Sequence, residues 1–352
     1  MKNSMPDPQK ALPEVISPYM RALIKKTGGA EGPLGKQFVL HSDDTSQNAG
    51  TSFDPQKEAE YQVAPGLIYK YHGKLDAEGN TIYPGRALWM ISRFCATYCR
   101  FCFRGRLVGL SAGQTYDSPE TFAQKAYLSD QDIAEVRQFL IQHPEINEVI
   151  LSGGDPLITP QPYFKKIVMM LNELQKNGQL PFIRIHTRAP ITNPDSLQQS
   201  HIELLKMIHL PHVSLHINHP AEITPEVEER VRWLRQNAGA LLFSQTVLLK
   251  GVNDSVEVLR ELFTACARLG IRPYYLHHTD PVPWAQQFVV PFAEAVQLWQ
   301  SLRPTLSGIV DTVKFVIDTP GGMGKVAVPD SVWESDMSLY SDFTGIKHKR
   351  PT

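Results

Sequence analysis

From Ala87 onward, short runs of β-branched and aromatic residues alternate with longer stretches whose apolar positions recur at helical spacing. This alternation predicts parallel strands that are joined by right-handed helical crossovers. The predicted strands are Ala87–Phe94, Glu148–Ser152, Phe182–Thr187, His212–Ile217, Leu241–Leu249 and Arg272–His277. The predicted helices are Asp130–His143, Pro162–Lys176, Asp195–Ile208, Pro225–Gln236 and Val256–Leu269. The pattern therefore indicates an α/β protein built on a partial (βα)6 TIM-like barrel.

The chain before this pattern is rich in Pro, Gly, Asp, Ser and Gln. A short helix is predicted to begin near Ile16 and to run to Lys26, where the glycine-rich residues 28–33 end it. The remainder of this part predicts an irregular arm over the main domain. We therefore expect three regions: an N-terminal arm at 1–84, a barrel core at 85–280 and a C-terminal segment at 281–352.

Composition and charge narrow the class of protein. The 352 residues are 42% apolar and 20% charged, and the net charge of −1 gives no reason to expect a nucleic-acid partner. No apolar run approaches the ~18 residues of a membrane helix, and the N-terminus lacks an apolar signal core. Sparse, clustered cysteines are typical of a reducing compartment. The sequence thus predicts a cytoplasmic protein with no membrane or nucleic-acid partner.

Three cysteines, Cys95, Cys99 and Cys102, follow the first predicted strand with the spacing C-x3-C-x2-C. Three thiolates on one loop can bind three irons of a cubane cluster, which leaves the fourth iron open to a small molecule. The alternatives are a zinc clip or three unrelated cysteines, but zinc sites usually take four ligands in two pairs and no second pair exists here. The fourth cysteine, Cys266, lies in an apolar helical run and is predicted to be a buried, inert thiol.

Two polar features at predicted strand ends are candidates for cofactor contacts. Gly153, Gly154 and Asp155 follow the second strand, where two glycines let the backbone approach a ligand closely. A glycine pair at a strand end is otherwise a simple turn. Gln245 interrupts an apolar strand, and a buried amide needs hydrogen-bond partners. Its interpretation stays open between a structural hydrogen bond and a contact to a bound nucleoside.

A glycine-rich turn near the C-terminus presents a single lysine. A strand through Val316 and Asp318 runs into Pro-Gly-Gly-Met-Gly-Lys325. A phosphate-binding loop would need Ser or Thr after the lysine, and Val326 stands there instead. The remaining interpretations are a solvated surface lysine or a lysine that forms a Schiff base with pyridoxal 5′-phosphate (PLP).

These motifs together resemble a known family. The cysteine spacing is similar to that of the radical S-adenosylmethionine (SAM) superfamily, in which SAM binds the open iron of the cluster. From about Ile16 to about Val328 the chain resembles the lysine 2,3-aminomutases, which use both SAM and PLP. The motifs that carry this resemblance are Cys95–Cys102 with Arg104 and Arg106, Ser152–Leu157, Ile183–Arg188, Asn218–Pro220 with Glu222–Thr224, Gln245–Asp254, Pro273–Tyr275 and Asp318–Lys325.

The resemblance implies a role for each matching residue. It implies that Cys95, Cys99 and Cys102 bind a 4Fe-4S cluster, and that Gly153, Gly154, Asp155 and Gln245 contact SAM. Lys325 matches the lysine that binds PLP, and Tyr83 and Arg86 match the residues that hold its phosphate. Arg104 matches the arginine that binds the substrate carboxylate, while Asp280 and Asp318 match two aspartates that bind the distal ammonium of lysine.

The implied reaction moves the α-amino group of L-lysine to Cβ, which gives β-lysine by isomerisation. A flavodoxin or ferredoxin is the expected reductant, and a homodimer or larger homo-oligomer is among the expected assemblies. The chain departs from the family at Ile82, where an arginine is common, and it ends without the C-terminal cysteines of longer members. Arginine, glutamate or a protein-bound residue therefore remain alternative substrates. The compact length also resembles the branch of the family that makes β-lysine for modifying elongation factor P. A PLP-independent radical SAM enzyme and a non-catalytic iron–sulfur protein are the more distant alternatives.

Overall fold

The computed structural model describes residues 12–41, 50–109, 127–319, 324–328, 339–341 and 346–349. The strands, numbered in chain order, are β1 Gln62–Ala64, β2 Leu67–Tyr71, β3 Lys74–Leu75, β4 Thr81–Tyr83, β5 Gly85–Ser92, β6 Ile146–Gly153, β7 Phe182–Thr187, β8 His212–His216, β9 Leu241–Val247, β10 Ile271–His277, β11 Lys314–Asp318, β12 Lys325–Ala327, β13 Leu339–Ser341 and β14 Lys347–Lys349.

The described α-helices are short to medium in length and lie mostly between the strands. They are α1 Pro18–Lys26, α2 Pro33–Phe38, α3 Asp130–Gln142, α4 Gln161–Lys176, α5 Ala189–Thr192, α6 Gln199–Leu205, α7 Pro225–Asn237, α8 Val256–Arg268 and α9 Phe292–Leu302. Within the described parts of the chain, no helix is long and apolar enough to cross a membrane.

One ten-stranded sheet forms the centre of the molecule, with the order β1-β2-β5-β6-β7-β8-β9-β10-β11-β12. Strands β5 to β11 pair with their neighbours in parallel, whereas β1, β2 and β12 pair antiparallel at the two margins. Among the described strands β1 and β12 form the two edges, so the sheet does not close on itself. This architecture confirms the predicted α/β class and the open barrel.

The predicted strands agree with the observed ones to within two residues, but one predicted helix is wrong. The stretch Asp195–Ile208 forms a 3-10 turn at Pro194–Ser196 and then the separate helix α6. Gln198 has extended backbone angles of φ −107° and ψ 167°, and it caps α6 reciprocally with His201. Apolar spacing alone does not reveal this break, because the cap starts a new helix without changing the pattern.

The N-terminal arm is more regular than the sequence predicts. Helix α1 is confirmed, and the Ser17 side chain caps it by accepting from the backbone N–H of Met20 at 3.1 Å. Helix α2 follows the glycine-rich break, and β1 and β2 join the central sheet through β5. The predicted boundary at 84/85 therefore falls inside a continuous stretch of sheet pairing, and the three-region division stays a prediction.

Helices cover one face of the sheet and form the main core. On α8, the side chains of Leu259, Leu262, Phe263 and Cys266 are fully buried. The prediction that Cys266 lies in the core is therefore confirmed. The chemically informative residues lie instead at the carboxyl ends of the parallel strands, where the side chains from successive strands meet at one edge of the barrel.

Candidate functional site

The three clustered cysteines lie on the loop directly after β5. Cys95, Cys99 and Cys102 are all half-buried and form no disulfide. Cys95 and Cys102 pack beside the buried side chains of Tyr98 and Val108. The loop therefore presents three free sulfur atoms within an apolar surrounding, as an iron–sulfur cluster requires.

Burial and one guanidinium set the electrostatics of these thiols. Burial raises the pKa of all three, and it raises that of Cys102 to about 12. The nearby charge of Arg188 opposes this rise at Cys99, because its Nη1 donates to the Cys99 Sγ at 2.8 Å. Bonding to a metal deprotonates a thiol outright, so these thiols suit a metal ligand better than a free nucleophile.

Within the described residues, no three His, Cys, Asp or Glu side chains converge on a point where a single metal ion could bind. A cubane cluster bonds each thiolate to a different iron, so its ligands do not need to converge on one point. Three free sulfurs with a guanidinium donor beside them fit such a cluster.

The strand-end glycines are required by the backbone of the cluster loop. A Cβ on Gly154 would lie 2.2 Å from the carbonyl oxygen of Phe94, and Gly153 has a φ of +116°. The backbone N–H of Gly154 donates to the Ser92 carbonyl at 2.7 Å, and that of Asp155 donates to the Phe94 carbonyl at 2.6 Å. The glycine pair thus fixes the end of β6 against the start of the cluster loop.

Asp155 links the end of β6 to the end of β7 through hydrogen bonds. Its two carboxylate oxygens accept hydrogen bonds from the backbone N–H groups of Leu157, Arg188 and Ala189 and from the Thr187 hydroxyl, at 2.7–3.0 Å. This carboxylate is therefore occupied within the protein. Contact with SAM through the neighbouring glycine backbone stays a prediction.

A buried network behind Cys99 was not predicted from the sequence. Nη2 of Arg188 donates to Glu222 at 2.8 Å and to the Gln37 side-chain oxygen at 2.6 Å. Asn218 donates to the same Gln37 oxygen at 3.0 Å. The Arg188 guanidinium is therefore locked in place, and it holds its Nη1 donor against the Cys99 sulfur. Arg188 and Asn218 both follow parallel strands, a position that could have indicated their importance.

Polar side chains line the inner face of the parallel strands. The side chains of Gln245 and His216 hydrogen-bond to each other, and burial lowers the pKa of His216 to about 3. His186 on β7 lies 5.7 Å from His216 between ring centroids, and burial holds its pKa well below the ordinary value. The Nε2 atoms of both histidines are buried without a partner among the described residues. These neutral rings, each with an unpaired Nε2 atom, suit a bound polar ligand.

Lys325 lies on β12 directly opposite Asp318 on β11. Its Nζ is 2.6 Å and 2.8 Å from the two carboxylate oxygens, and His277 Nδ1 is 3.4 Å from one of them. Burial raises the pKa of Asp318, but hydrogen bonding from His277 and the charge of Lys325 outweigh it, and the pKa lies well below the ordinary value. Residues 320–323 of the predicted glycine-rich turn lie outside the described residues.

Asp280 lies near this pair and has a different environment. Burial, together with the negative charge of Asp318, raises the pKa of Asp280 to about 6, while a hydrogen bond from Gln56 opposes the rise. The Gln56 amide nitrogen donates to Asp280 at 2.8 Å, and the Lys70 ammonium donates to the Gln56 side-chain oxygen at 3.1 Å. The two predicted acids are thus within electrostatic reach of each other.

Arg104, the predicted carboxylate-binding residue, is buried against Glu58. Its Nη2 is 2.6 Å from Oε1 of Glu58, and its Nε is 3.0 Å and 2.9 Å from the two carboxylate oxygens. Its Nη1 donates to the Ser152 hydroxyl at 3.1 Å. Arg104 also contributes to the electrostatic environment of Asp280. The structure therefore brings the predicted carboxylate and ammonium contacts into one region at the barrel mouth.

Comparisons with known proteins show the family to which this chain belongs. The family model described as Radical SAM superfamily matches residues 89–263. L-lysine 2,3-aminomutase of Clostridium subterminale is 31% identical to this chain over 340 residues, which cover 96% of this chain and 74% of that protein. The chain belongs to the lysine 2,3-aminomutase family. Its expected assignment to the radical SAM superfamily is thereby confirmed.

Two further relatives of this aminomutase family differ in the extent of the match. A putative L-lysine 2,3-aminomutase of Aquifex aeolicus is 32% identical, with 96% of this chain and 84% of that protein covered. The L-lysine 2,3-aminomutase of Fusobacterium nucleatum is 31% identical, and the match covers 89% of this chain and 66% of that protein. An aminomutase is by name an isomerase, so the predicted enzyme class is confirmed at the level of the family.

Membership in this aminomutase family brings the cofactors of the radical SAM superfamily, a 4Fe-4S cluster and SAM. Arg86 and Tyr83 are the two residues expected to hold the phosphate of the further cofactor PLP. Their surroundings differ. The Arg86 guanidinium lies 4.0 Å from the centroid of the Tyr71 ring, its direct cross-strand partner on β2. Tyr83 lies on the small β3–β4 hairpin and is 51% exposed. The structure thus pairs Arg86 with Tyr71, a contact that the sequence did not predict.

The reason for this difference is the β3–β4 hairpin. Residues Lys74–Tyr83 extend between the two strands that bring Tyr71 and Arg86 together. Burial raises the pKa of Tyr71, and the positive charge of Arg86 opposes the rise. Tyr71 and Arg86 are thus brought together across strands, and the expected contact of Tyr83 with PLP stays a prediction.

Proposed function

We propose that this chain is a radical SAM, PLP-dependent aminomutase that moves the α-amino group of L-lysine to Cβ and so forms β-lysine. The observation that carries the proposal is the convergence of Arg104, Asp318 and Lys325 on Asp280, because the charges of all three act on its carboxylate. These four residues match the three polar groups of lysine: a carboxylate, an α-amine and a distal ammonium. The names of the aminomutase relatives support the same substrate.

The cofactors are proposed to lie at two sides of the barrel mouth. Cys95, Cys99 and Cys102 would hold the cluster, and the backbone of Gly153 and Gly154 together with Gln245 would contact SAM. The cluster and SAM would supply one-electron chemistry that abstracts a hydrogen atom, and PLP would supply a carbonyl that captures the substrate amine. A reductant such as flavodoxin or ferredoxin would deliver the electron.

The phosphate of PLP is proposed to bind beside Arg86. A guanidinium presents paired donors that match phosphate oxygens. Tyr71 offers a hydroxyl next to the same guanidinium, whereas Tyr83 is exposed. Lys325 would bind PLP at its other end. The unpaired Nε2 atoms of His186 and His216 supply further polar contacts inside the barrel.

The distal acids are proposed to select a cationic side chain. In the free chain, the ammonium of Lys325 is the cation that neutralises Asp318. When the Lys325 nitrogen is engaged in binding PLP, Asp318 loses this partner while Asp280 remains nearby. Two adjacent carboxylates repel unless a cation lies between them. The ammonium of a lysine substrate fills this place, and a glutamate side chain would add a third negative charge.

The test is anaerobic reconstitution with iron, sulfide, PLP and SAM, followed by product analysis with lysine, arginine and glutamate. We expect β-lysine as the main product and no product from glutamate. Asp318→Asn should raise the KM for lysine by two to four orders of magnitude, because breaking a buried charge pair costs roughly 3–5 kcal/mol. Asp195→Asn is the matched control, since Asp195 forms only an exposed ion pair with Arg230. Faster turnover of glutamate than of lysine would contradict the proposal.

A further inference from the structure

Three acidic or amide side chains at alternating positions of one short segment contact the charged residues of the site. The segment Asp54–Glu58 lies in the N-terminal arm, just before β1. Asp54 pairs with Arg106 at 2.6 Å, Gln56 donates to Asp280 at 2.8 Å, and Glu58 binds Arg104 at 2.6 Å. A single stretch of five residues thus reaches both the carboxylate end and the distal end of the proposed lysine site.

The segment is itself fixed on the barrel. The Asp54 carboxylate accepts from the backbone N–H groups of Glu58 and Ala59, both at 3.0 Å, which closes the segment into a turn. The N–H of Ser52 donates to the Pro281 carbonyl at 2.8 Å. Phe53 packs on Trp284 with ring centroids 5.9 Å apart. These contacts place Gln56 and Glu58 in defined positions, and both side chains are buried.

Glu58 leaves part of Arg104 free for a second carboxylate. A guanidinium carries five N–H groups. Glu58 uses the one on Nε and one on Nη2, and Ser152 uses one on Nη1. One N–H on each terminal nitrogen is therefore unused by these partners. Both remaining donors can form charge-assisted hydrogen bonds to a second carboxylate.

Gln56 contacts Asp280 at the distal end of the proposed lysine site. It donates to Oδ1 of Asp280, and its own side-chain oxygen accepts from the Lys70 ammonium at 3.1 Å. The amide is therefore held in one orientation, because its oxygen faces a cation and its nitrogen faces a carboxylate. The Asp280 carboxylate lies within electrostatic reach of both Asp318 and Lys325.

We infer that the segment Asp54–Glu58 positions both ends of the substrate site, with Glu58 orienting Arg104 toward the substrate carboxylate and Gln56 orienting Asp280 toward the distal ammonium. This inference rests on the proposed function, because it takes the roles of Arg104 and Asp280 from it. Glu58 and Gln56 are positioning residues, since they act through the side chains that touch the substrate.

The test combines variants of the segment with substrates that lack one end. Lysinamide has no carboxylate, and norleucine has no distal ammonium. In the reconstituted wild-type enzyme, kcat/KM should be highest for lysine. In Glu58→Gln we expect the preference for lysine over lysinamide to fall at least about tenfold, with the preference over norleucine unchanged. In Gln56→Ala we expect the preference for lysine over norleucine to fall about threefold, with the preference over lysinamide unchanged.

Matched variants separate positioning from simple loss of structure. Glu60→Gln is the control, because Glu60 forms only an exposed ion pair with Lys57 and should leave both preferences unchanged. Glu58→Asp keeps the charge and should recover part of the lost preference. If Glu58→Gln does not fold, Ser152→Ala removes the neutral partner of Arg104 and should weaken the same preference, by about threefold. Cluster content and melting temperature are measured for every variant.

Each contrary result has a distinct meaning. A lower KM for lysine in Glu58→Gln would show that Glu58 competes with the substrate carboxylate for Arg104, which overturns the inference. Equal losses with all three substrates, or unchanged preferences, would also overturn it, because Glu58 and Gln56 would then be structural only. Failure of the wild-type enzyme to turn over lysine would instead contradict the proposed function.

Discussion

The cluster loop and the Lys325 region of this protein are held in place by different forces. Backbone hydrogen bonds secure the cluster loop: Tyr98 N–H donates to Val15, Arg100 N–H to Gln37 and Asp155 N–H to Phe94, at 2.6–2.9 Å. In the Lys325 region, the contacts that define the site are between charged side chains, above all Lys325 with Asp318. The backbone contacts of the first region contain no titratable group, while the contacts of the second depend on protonation states.

This difference matches the chemistry that each region would carry. A cluster bonds permanently to its thiolates and needs a rigid, apolar setting. The lysine that binds PLP must exchange partners during turnover, and an ion pair at the edge strand β12 can be broken without disturbing the core. The difference predicts that substitutions in the two regions affect separate activities.

The largest expected effect is at the cluster. Cys99→Ala should abolish cluster-dependent cleavage of SAM, because it removes one of the three thiolates that hold the cluster irons. Iron content and SAM cleavage by the reduced, reconstituted protein are the measurements. Cys266→Ala is the matched control and should keep normal iron content, since Cys266 is fully buried on α8. Normal SAM cleavage by Cys99→Ala would refute the cluster assignment.

The next largest expected effect distinguishes the Lys325 region from the cluster loop. Lys325→Ala should abolish β-lysine formation while SAM cleavage by the reduced protein continues, because the cluster side does not use this lysine. Borohydride reduction of the PLP-loaded wild type, followed by peptide mapping, should place the label on Lys325. The control is Lys250→Ala, at an exposed position after β9, which should keep both activities. Label on Lys250 or Lys314 would contradict the assignment of Lys325.

The strands and the placement of the three cysteines on one loop after β5 could be predicted because each is encoded locally. Apolar alternation defines a strand, and the three cysteines lie within one loop. The partners of Arg104 and Asp280 could not be predicted, since Glu58 is 46 positions from Arg104 and Gln56 is 224 positions from Asp280. No periodic pattern reports such contacts. The cross-strand pair of Tyr71 and Arg86 was not predicted for the same reason, because the β3–β4 hairpin separates the two residues in sequence. The role of Tyr83 stays a prediction.

A smaller effect concerns the pH dependence of lysine binding. Burial and the charge of Asp318 raise the pKa of Asp280 to about 6, and Lys325 and Arg104 are the nearby cations that oppose this. Asp280 is therefore ionised only above about pH 6, and only the ionised form attracts the substrate ammonium. We expect kcat/KM for lysine to fall about tenfold per pH unit below pH 6, since this parameter reports the free enzyme.

Two controls define this pH effect. Asp280→Asn should show low activity and no fall of kcat/KM below pH 6. Asp195→Asn should keep this fall. The sign for stability is opposite: the folded-state pKa exceeds the ordinary value of 3.8, so ionisation of Asp280 destabilises the fold as the pH rises from about 4 through 6. A pH profile that is identical in Asp280→Asn and the wild type would contradict the assignment.

The smallest predicted effect tests the pairing of Arg86 with Tyr71. Tyr71 lies directly against the Arg86 guanidinium, whereas Tyr83 is 51% exposed on the hairpin. Loss of one hydrogen bond to a bound phosphate costs about 1 kcal/mol or somewhat more. Tyr71→Phe should therefore weaken PLP binding about fivefold to tenfold by titration of the PLP-free protein, and Tyr83→Phe, the same chemical change, should leave it unaltered. SAM cleavage should be normal in both, because the cluster loop is held independently. Weaker PLP binding in Tyr83→Phe than in Tyr71→Phe would show that the hairpin folds over the phosphate, and the cross-strand pairing would then have no role in cofactor binding.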